Sequence, residues 1–192
     1  MNRAADVAVA GLGLALASPL LGVSALAVKL TAGGPVLFRQ QRVGRDGRDF
    51  ELLKLRTMVV GAEGRGAGYA VDRGDPRITR VGRLLRRTSI DELPQLWNVL
   101  RGDMSIVGPR PTLRYQVDRY TERQRKRLAV RPGLTGWAQV HGRAELPWAE
   151  RIELDVWYVE HRSPALDLKI LLRTPLALFG GTYKGGKGGW KG

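Results

Sequence analysis

The chain has 192 residues, long enough for one domain with a real core. Its 32 Lys and Arg outweigh 18 Asp and Glu, and the formal charge of +14 points to an anionic partner: nucleic acid, anionic lipid or a phosphorylated small molecule. The absence of cysteine excludes disulfides, thiolate nucleophiles and Cys-ligated zinc, and His141 and His161 alone are too few for a His-rich metal site.

Val7 to Val28 is a run of 22 residues without a charge. As one straight helix it would extend roughly 33 Å, about the hydrocarbon thickness of a bilayer. Three readings compete: a single-pass helix, a signal peptide with Ala25-Leu26-Ala27 as its cleavage site, and a re-entrant helix hairpin broken at Ser18-Pro19. Pro19 removes a backbone donor and kinks or breaks a helix, while the Ser18 hydroxyl can satisfy a carbonyl freed by the break. Basic residues flank both ends (Arg3, then Lys29, Arg39 and Arg42), so loop charge does not favour putting the ends on opposite sides.

After Gly33-Gly34-Pro35, residues 36–43 and 50–56 read as two strands joined by the Asp46-Gly47 turn of a hairpin. Residues 61–77 are Gly-rich and predict a loop. A helix is expected over 79–87, with Val81, Leu84 and Leu85 apolar and Arg80, Arg83 and Arg87 on the other face. A second runs from Ser89 to about Leu100, ending at Gly102. Val107 to Pro111 must be a rigid turn, since each Pro restricts the residue before it. Helices are expected over 112–128, over 146–160 and from Ser163-Pro164 to Phe179, with a loop over 131–137. The predicted class is α+β, mainly helical with a small β-hairpin. A membrane helix would occupy 1–31, a catalytic domain 32–179, and a flexible Gly/Lys-rich tail 180–192.

The stretch Arg86-Arg87-Thr88-Ser89-Ile90-Asp91-Glu92-Leu93-Pro94 sets two acids beside two arginines. Ser89 and Glu92 have capping-box spacing, which is the purely structural reading. The functional one is that Asp91, at a helix start beside Arg86 and Arg87, stays fully ionised, because positive neighbours lower a carboxyl pKa from about 3.9. An ionised carboxylate can attack phosphorus. Phosphoryl transfer also needs cations over the non-bridging oxygens, for which Lys54, Arg56 and Arg86 are candidates. A carboxylate among phosphates invites Mg²⁺, with Asp91 as its protein ligand.

Three blocks in order, Lys54-Leu55-Arg56-Thr57-Met58, the run from Thr88 to Pro111, and Arg131-Pro132-Gly133-Leu134-Thr135-Gly136-Trp137, resemble the bacterial sugar transferases. These are the monotopic phosphoglycosyl transferases that begin glycan assembly on polyprenol phosphate, and the length is similar to the family's minimal form. The resemblance implies that Asp91 is the nucleophile toward the β-phosphate of a nucleoside-diphosphate sugar, usually UDP-linked. UMP would leave, and the aspartyl phosphosugar would pass to polyprenol phosphate. It implies for Glu92 a role in positioning, metal support or proton handling, and for Lys54, Arg86 and Arg110 phosphate or nucleotide contacts, with Gln139 and Arg143 as further candidates. Ser18-Pro19 matches the family's helix-breaking pair, which implies a re-entrant helix, cytoplasmic termini and a bacterial inner-membrane location. The rival is a non-catalytic, membrane-tethered basic protein that binds anionic lipid or nucleic acid. It leaves unexplained why acids sit among the densest arginines, and the basic stretches lack interleaved aromatics that would stack bases. The sugar is not identified; contacts to it are expected around residues 64–75 or 144–148.

Overall fold

The computed structural model describes residues 2–62, 74–142 and 146–179. Helix α1 spans Arg3–Ala32; the Asn2 side chain caps its start and Gly33, at φ 68°, ends it. It runs unbroken through Ser18-Pro19, where an interruption was expected. Pro19 has no N–H to give Ala15, one turn back, and the Ser18 hydroxyl donates to that carbonyl instead at 2.8 Å. The freed acceptor is thus satisfied within the helix.

Residues 3, 6, 10, 14, 21, 24, 28 and 32 recur at helical spacing, and this face packs on the rest of the chain from end to end. At the N-terminal end Arg3 donates to the carbonyls of Val99 and Leu100, the latter at 2.6 Å. Asp6, which is 1% exposed, accepts from the Ser105 hydroxyl at 2.8 Å and from the Ile106 N–H at 2.9 Å. At the far end Val28 and Ala32 join a core cluster with Leu55 and Leu85. The opposite face is wholly apolar and exposed: Leu12, Leu16, Leu20, Val23, Leu26 and Leu30.

Strands β1 (Leu37–Val43) and β2 (Asp49–Leu55) form the expected antiparallel hairpin, from Val43 opposite Asp49 to Leu37 opposite Leu55. The turn at Arg45–Gly47 puts Asp46 at φ 56°, a conformation that Asp tolerates. The free edge of β2 pairs with a side chain. Fully buried Asn98 accepts from the Leu53 N–H at 3.1 Å and donates to the Glu51 carbonyl at 2.7 Å. Helix α2 (Arg80–Arg87) is capped by Thr79 and crosses the chain just after β2. A Cβ on Gly82 would lie 2.0 Å from the Thr57 carbonyl oxygen, so only glycine permits this approach. The three arginines of its polar face are exposed as expected; Leu85 is buried, whereas Leu84 is exposed.

Helix α3 (Gln95–Arg101) ends at Gly102 and is followed by strand β3 (Ser105–Val107). β3 pairs in parallel with strand β4 (Gly133–Thr135), a second sheet where a turn and a loop were expected. Three-residue strands are too short to show a period, and the pairing is built on glycine: a Cβ on Gly133 would sit 2.1 Å from Gly108 N. The long helix expected over 112–128 is also corrected. Short helices α4 (Arg114–Val117) and α5 (Glu122–Arg125) are followed by a 3₁₀ turn at Lys126–Ala129. Thr121 and Gln124 form a capping box that restarts the helix at 122, yet Val117 and Tyr120 still face one core cluster. Helices α6 (Trp137–Val140), α7 (Trp148–His161) and α8 (Pro164–Phe179) complete the described fold. The main core gathers Ala10, Leu52, Leu96, Val99, Met104, Ile106, Tyr158 and Ile170 from six elements. The expected loop over 61–77 falls largely on residues 63–73, which, like the tail, lie outside the described residues.

Replacing Asp6 with Ala would leave the Ser105 hydroxyl and the Ile106 N–H buried without an acceptor. We expect a loss of about 2–4 kcal/mol in unfolding free energy, measured on detergent-solubilised protein, with Asp6→Asn intermediate.

Candidate active site

The cluster is assembled from β2, the turn before α3, the turn after β3, and α2. Lys54 points from the penultimate residue of β2, and its Nζ lies 2.7 Å from Glu92 Oε1. Arg110, in the Gly108-Pro109-Arg110-Pro111 turn, grips the same carboxylate, with Nη2 at 2.5 Å from Oε1 and Nη1 at 3.4 Å from Oε2. Arg86 is aimed by Thr57, whose hydroxyl accepts from its Nε at 2.7 Å.

The acids do not sit in a capping box. Ser89 is in the left-handed region at φ 57° and makes no side-chain cap; Ile90–Glu92 is a single 3₁₀ turn. Glu92 turns to two cations instead of back to a neutral N–H, because charge-assisted bonds are roughly twice as strong. Pro94 sits at the N-cap of α3 with φ −59°, where a missing N–H costs nothing.

The two carboxyls therefore differ. Burial alone would raise Glu92, but Arg110 and Lys54 hold it well below the usual carboxylate range. Burial pushes Lys54 down, against the pull of Glu92, and the charge of Glu92 raises Arg110. Asp91 is 7% exposed, and among the described residues no hydrogen bond ties its carboxyl. Burial pushes it up to about 6, and Glu92 adds to the rise; Lys54, Arg86 and Arg110 pull the other way without winning. Depression by the positive neighbours was expected, and desolvation overrides it. At pH 7 Asp91 remains mostly ionised, unpaired and surrounded by cations. Glu92 is a strut between two of them.

Of the sequence-predicted residues, Lys54, Arg86, Asp91, Glu92 and Arg110 come together. Arg56 shares the strand face of Lys54, but its Nε donates to the Pro35 carbonyl at 2.7 Å and its guanidinium lies over Phe38. Gln139, on α6, is buried with neither amide atom partnered, and no described contact ties it to the cluster. Arg143 lies outside the described residues. Sequence reasoning missed the group behind Arg110. Arg127 donates to the Arg110 carbonyl at 2.8 Å and to Thr112 Oγ1 at 3.3 Å, and contacts the Tyr120 hydroxyl and the Asp155 carboxylate. Arg127 and Asp155 are both almost fully buried. Nothing in a run of charged residues singles out the one arginine that folds inward. Among the described residues no three His, Cys, Asp or Glu gather to hold a metal.

A free buried carboxylate among cations, on a body with one long exposed apolar helix face, is suited to handling anionic groups beside an apolar surface. The chain belongs to the bacterial sugar transferases: that family matches residues 1–181. It is 51% identical over 182 residues to the UDP-glucose:undecaprenyl-phosphate glucose-1-phosphate transferase of Caulobacter vibrioides, covering 90% of this chain and 67% of that protein. It is 46% identical over 174 residues to the uncharacterized sugar transferase EpsL of Bacillus subtilis, covering 91% and 85%. The Escherichia coli UDP-glucose:undecaprenyl-phosphate glucose-1-phosphate transferase is 46% identical over 91% of this chain, which spans only 39% of that relative.

Arg127→Met should cost about 3–5 kcal/mol of stability by stranding a buried Asp155, whereas Arg127→Met with Asp155→Leu should recover much of it. Chemical denaturation checks this. Transferase activity should stay low in both, because the Arg110 carbonyl has lost its donor.

Proposed function

We propose that this protein transfers a sugar-1-phosphate from a UDP-linked sugar to polyprenol phosphate at the membrane surface, through a covalent aspartyl phosphosugar on Asp91. The observation that carries this is the contrast between the acids: Glu92 is clamped by Lys54 and Arg110, and Asp91 is left free. An Asp91 oxygen attacks the β-phosphorus, the bond from that phosphorus to the bridging oxygen breaks, and UMP leaves with the electron pair. Lys54, Arg86 and Arg110 hold the diphosphate and stabilise charge on its non-bridging oxygens. An oxygen of polyprenol phosphate then attacks the same phosphorus, restoring the carboxylate and giving polyprenyl-diphospho-sugar. Two attacks at one site need no ternary complex. Asp91, a single unpaired carboxylate, is the residue that would hold Mg²⁺, and the ion would supply charge neutralisation beside the diphosphate. Gln139, buried with an unpartnered amide, is a candidate for contacts to the donor, and Arg143 for phosphate.

The Caulobacter vibrioides and Escherichia coli relatives are named for transfer to undecaprenyl phosphate. Both ends of α1 pack on one body while Leu12 to Leu30 face outward, and both flanks are basic. This supports a monotopic arrangement at the cytoplasmic face of the inner membrane, with α1 entering and leaving the same leaflet and bending at Pro19, where the helix lacks one hydrogen bond. The family relationship disfavours a non-catalytic lipid- or nucleic-acid-binding role.

Incubation with UDP-sugar and Mg²⁺, without polyprenol phosphate, should release UMP in a stoichiometric burst and leave a phosphosugar on Asp91, read by intact-protein mass spectrometry. Turnover with the lipid but neither burst nor adduct without it would refute the covalent route. Asp91→Asn should abolish the adduct and raise the unfolding temperature near pH 7, since it removes a buried charge. The adduct rate should rise with pH and level off above a midpoint near 6, because the protonated Asp91 present below that midpoint is not nucleophilic.

A further inference from the structure

A cavity of about 310 Å³ lies apart from the catalytic cluster. Its floor includes Asp6, Ser105 and Tyr158, and its walls carry Arg45, Arg131 and Arg162. Lys54, Asp91, Glu92 and Arg110 do not line it. Arg45 is at the hairpin tip, and five strand residues at about 3.4 Å each put roughly 17 Å between that end of β2 and Lys54.

The floor is built and buried. Asp6 accepts from Ser105 and Ile106, and the Tyr158 hydroxyl donates to Asp167 at 2.7 Å. The three guanidinium groups come from separate elements: the β1–β2 turn, the approach to β4, and the end of α7. Two are well placed by the scaffold. Arg114 donates to the Gly47 carbonyl and pairs with Asp49, both at 2.7 Å, which pins the turn carrying Arg45. Arg131 Nε donates to the Gly102 carbonyl at 3.0 Å. Arg45 pairs with Asp46 at 3.3 Å, while Arg131 and Arg162 form no salt bridge among the described residues. Three positive walls above one lining carboxylate leave the cavity net cationic, and mutual repulsion falls when an anion enters.

We propose that this cavity is a second anion site that takes a phosphate group, separate from the site of transfer. Guanidinium forks match phosphate oxygens in pairs. The volume equals that of about ten liquid waters, room for a phosphate with a small headgroup. Asp6 belongs to α1, whose exposed leucines begin at Leu12, so the cavity stands at the edge of the apolar face. The phosphate can come from an anionic lipid headgroup or from free phosphate.

The test uses the full chain with Arg45→Ala plus Arg162→Ala, both exposed positions. Inorganic phosphate is titrated by calorimetry in neutral detergent, in an Arg110→Ala background that weakens the catalytic anion site. Binding to nanodiscs of phosphatidylcholine with and without phosphatidic acid is measured in parallel. Loss of two charge-assisted contacts should weaken phosphate binding roughly tenfold or more if free phosphate is the ligand. The same weakening confined to phosphatidic-acid nanodiscs identifies the lipid headgroup. Equal binding by parent and variant in both arms overturns the proposal. With Arg110 restored, KM for the nucleotide sugar should stay within about twofold of the parent. A parallel rise in KM would make the cavity part of the transfer site and overturn its separateness.

Discussion

Glu92 between Lys54 and Arg110 is the contact on which the site depends. Lys54 comes from a strand 38 residues away in sequence, and Arg110 from a turn 18 residues away. Lys54 is costly to bury alone, and the carboxylate that offsets it also holds the half-exposed Arg110. Because Glu92 is consumed in this way, Asp91 keeps no partner. It is left with the field of three cations and the desolvation of its pocket. Desolvation raises its basicity while the cations keep it ionised near neutral pH, and a nucleophile needs that combination.

Arg110 reaches Glu92 only because its backbone is held from behind. The Gly108-Pro109-Arg110-Pro111 turn has little regular structure of its own. Arg127 supplies what a strand partner would, a donor to the Arg110 carbonyl, and is balanced by Asp155 from α7. The β3–β4 pairing fixes the same turn from its other end, through the close approach of Gly108 and Gly133. A four-residue loop is thereby held from both sides, which a site built on geometry requires.

Much of this was legible in the sequence where periodicity or turn chemistry is strong. The β1–β2 hairpin, α2 and the last two helices follow from alternation, Asp-Gly and 3.6-residue spacing. Lys54, Arg86 and Asp91 followed from the charge pattern, whereas Arg110 and a site role for Glu92 came with the motif resemblance. What failed did so for physical reasons. Ser89 and Glu92 carry a capping-box pattern, but a charge-assisted bond to residues far along the chain outcompetes a local neutral one. The direction of the Asp91 shift went wrong because sequence shows neighbouring charges and not burial. β3 and β4 are too short to register, and their pairing depends on glycines that read as loop. Arg3 read only as a basic flank of the apolar segment and Asp6 was not singled out, yet together they staple α1 to β3 and to the end of α3.

That staple joins the long apolar helix to the Asp91 cluster through α3. The helix begins at Gln95, three residues after Glu92. Its Asn98 holds the free edge of the strand that carries Lys54. Its last carbonyls accept from Arg3 of α1, and a Cβ on Gly13 of α1 would lie 3.2 Å from the Leu96 side chain. The 3₁₀ turn, β2 and α1 are thus packed on one two-turn helix. Whatever depth α1 takes in a bilayer, the height of Asp91 above it follows, with no flexible linker between them. Under the proposed transfer, a soluble nucleotide sugar can reach Asp91 from any height, whereas a phosphate at the end of a lipid chain is confined to the headgroup plane. For that reaction, the tight packing of α1 on α3 serves the lipid acceptor more than the soluble donor.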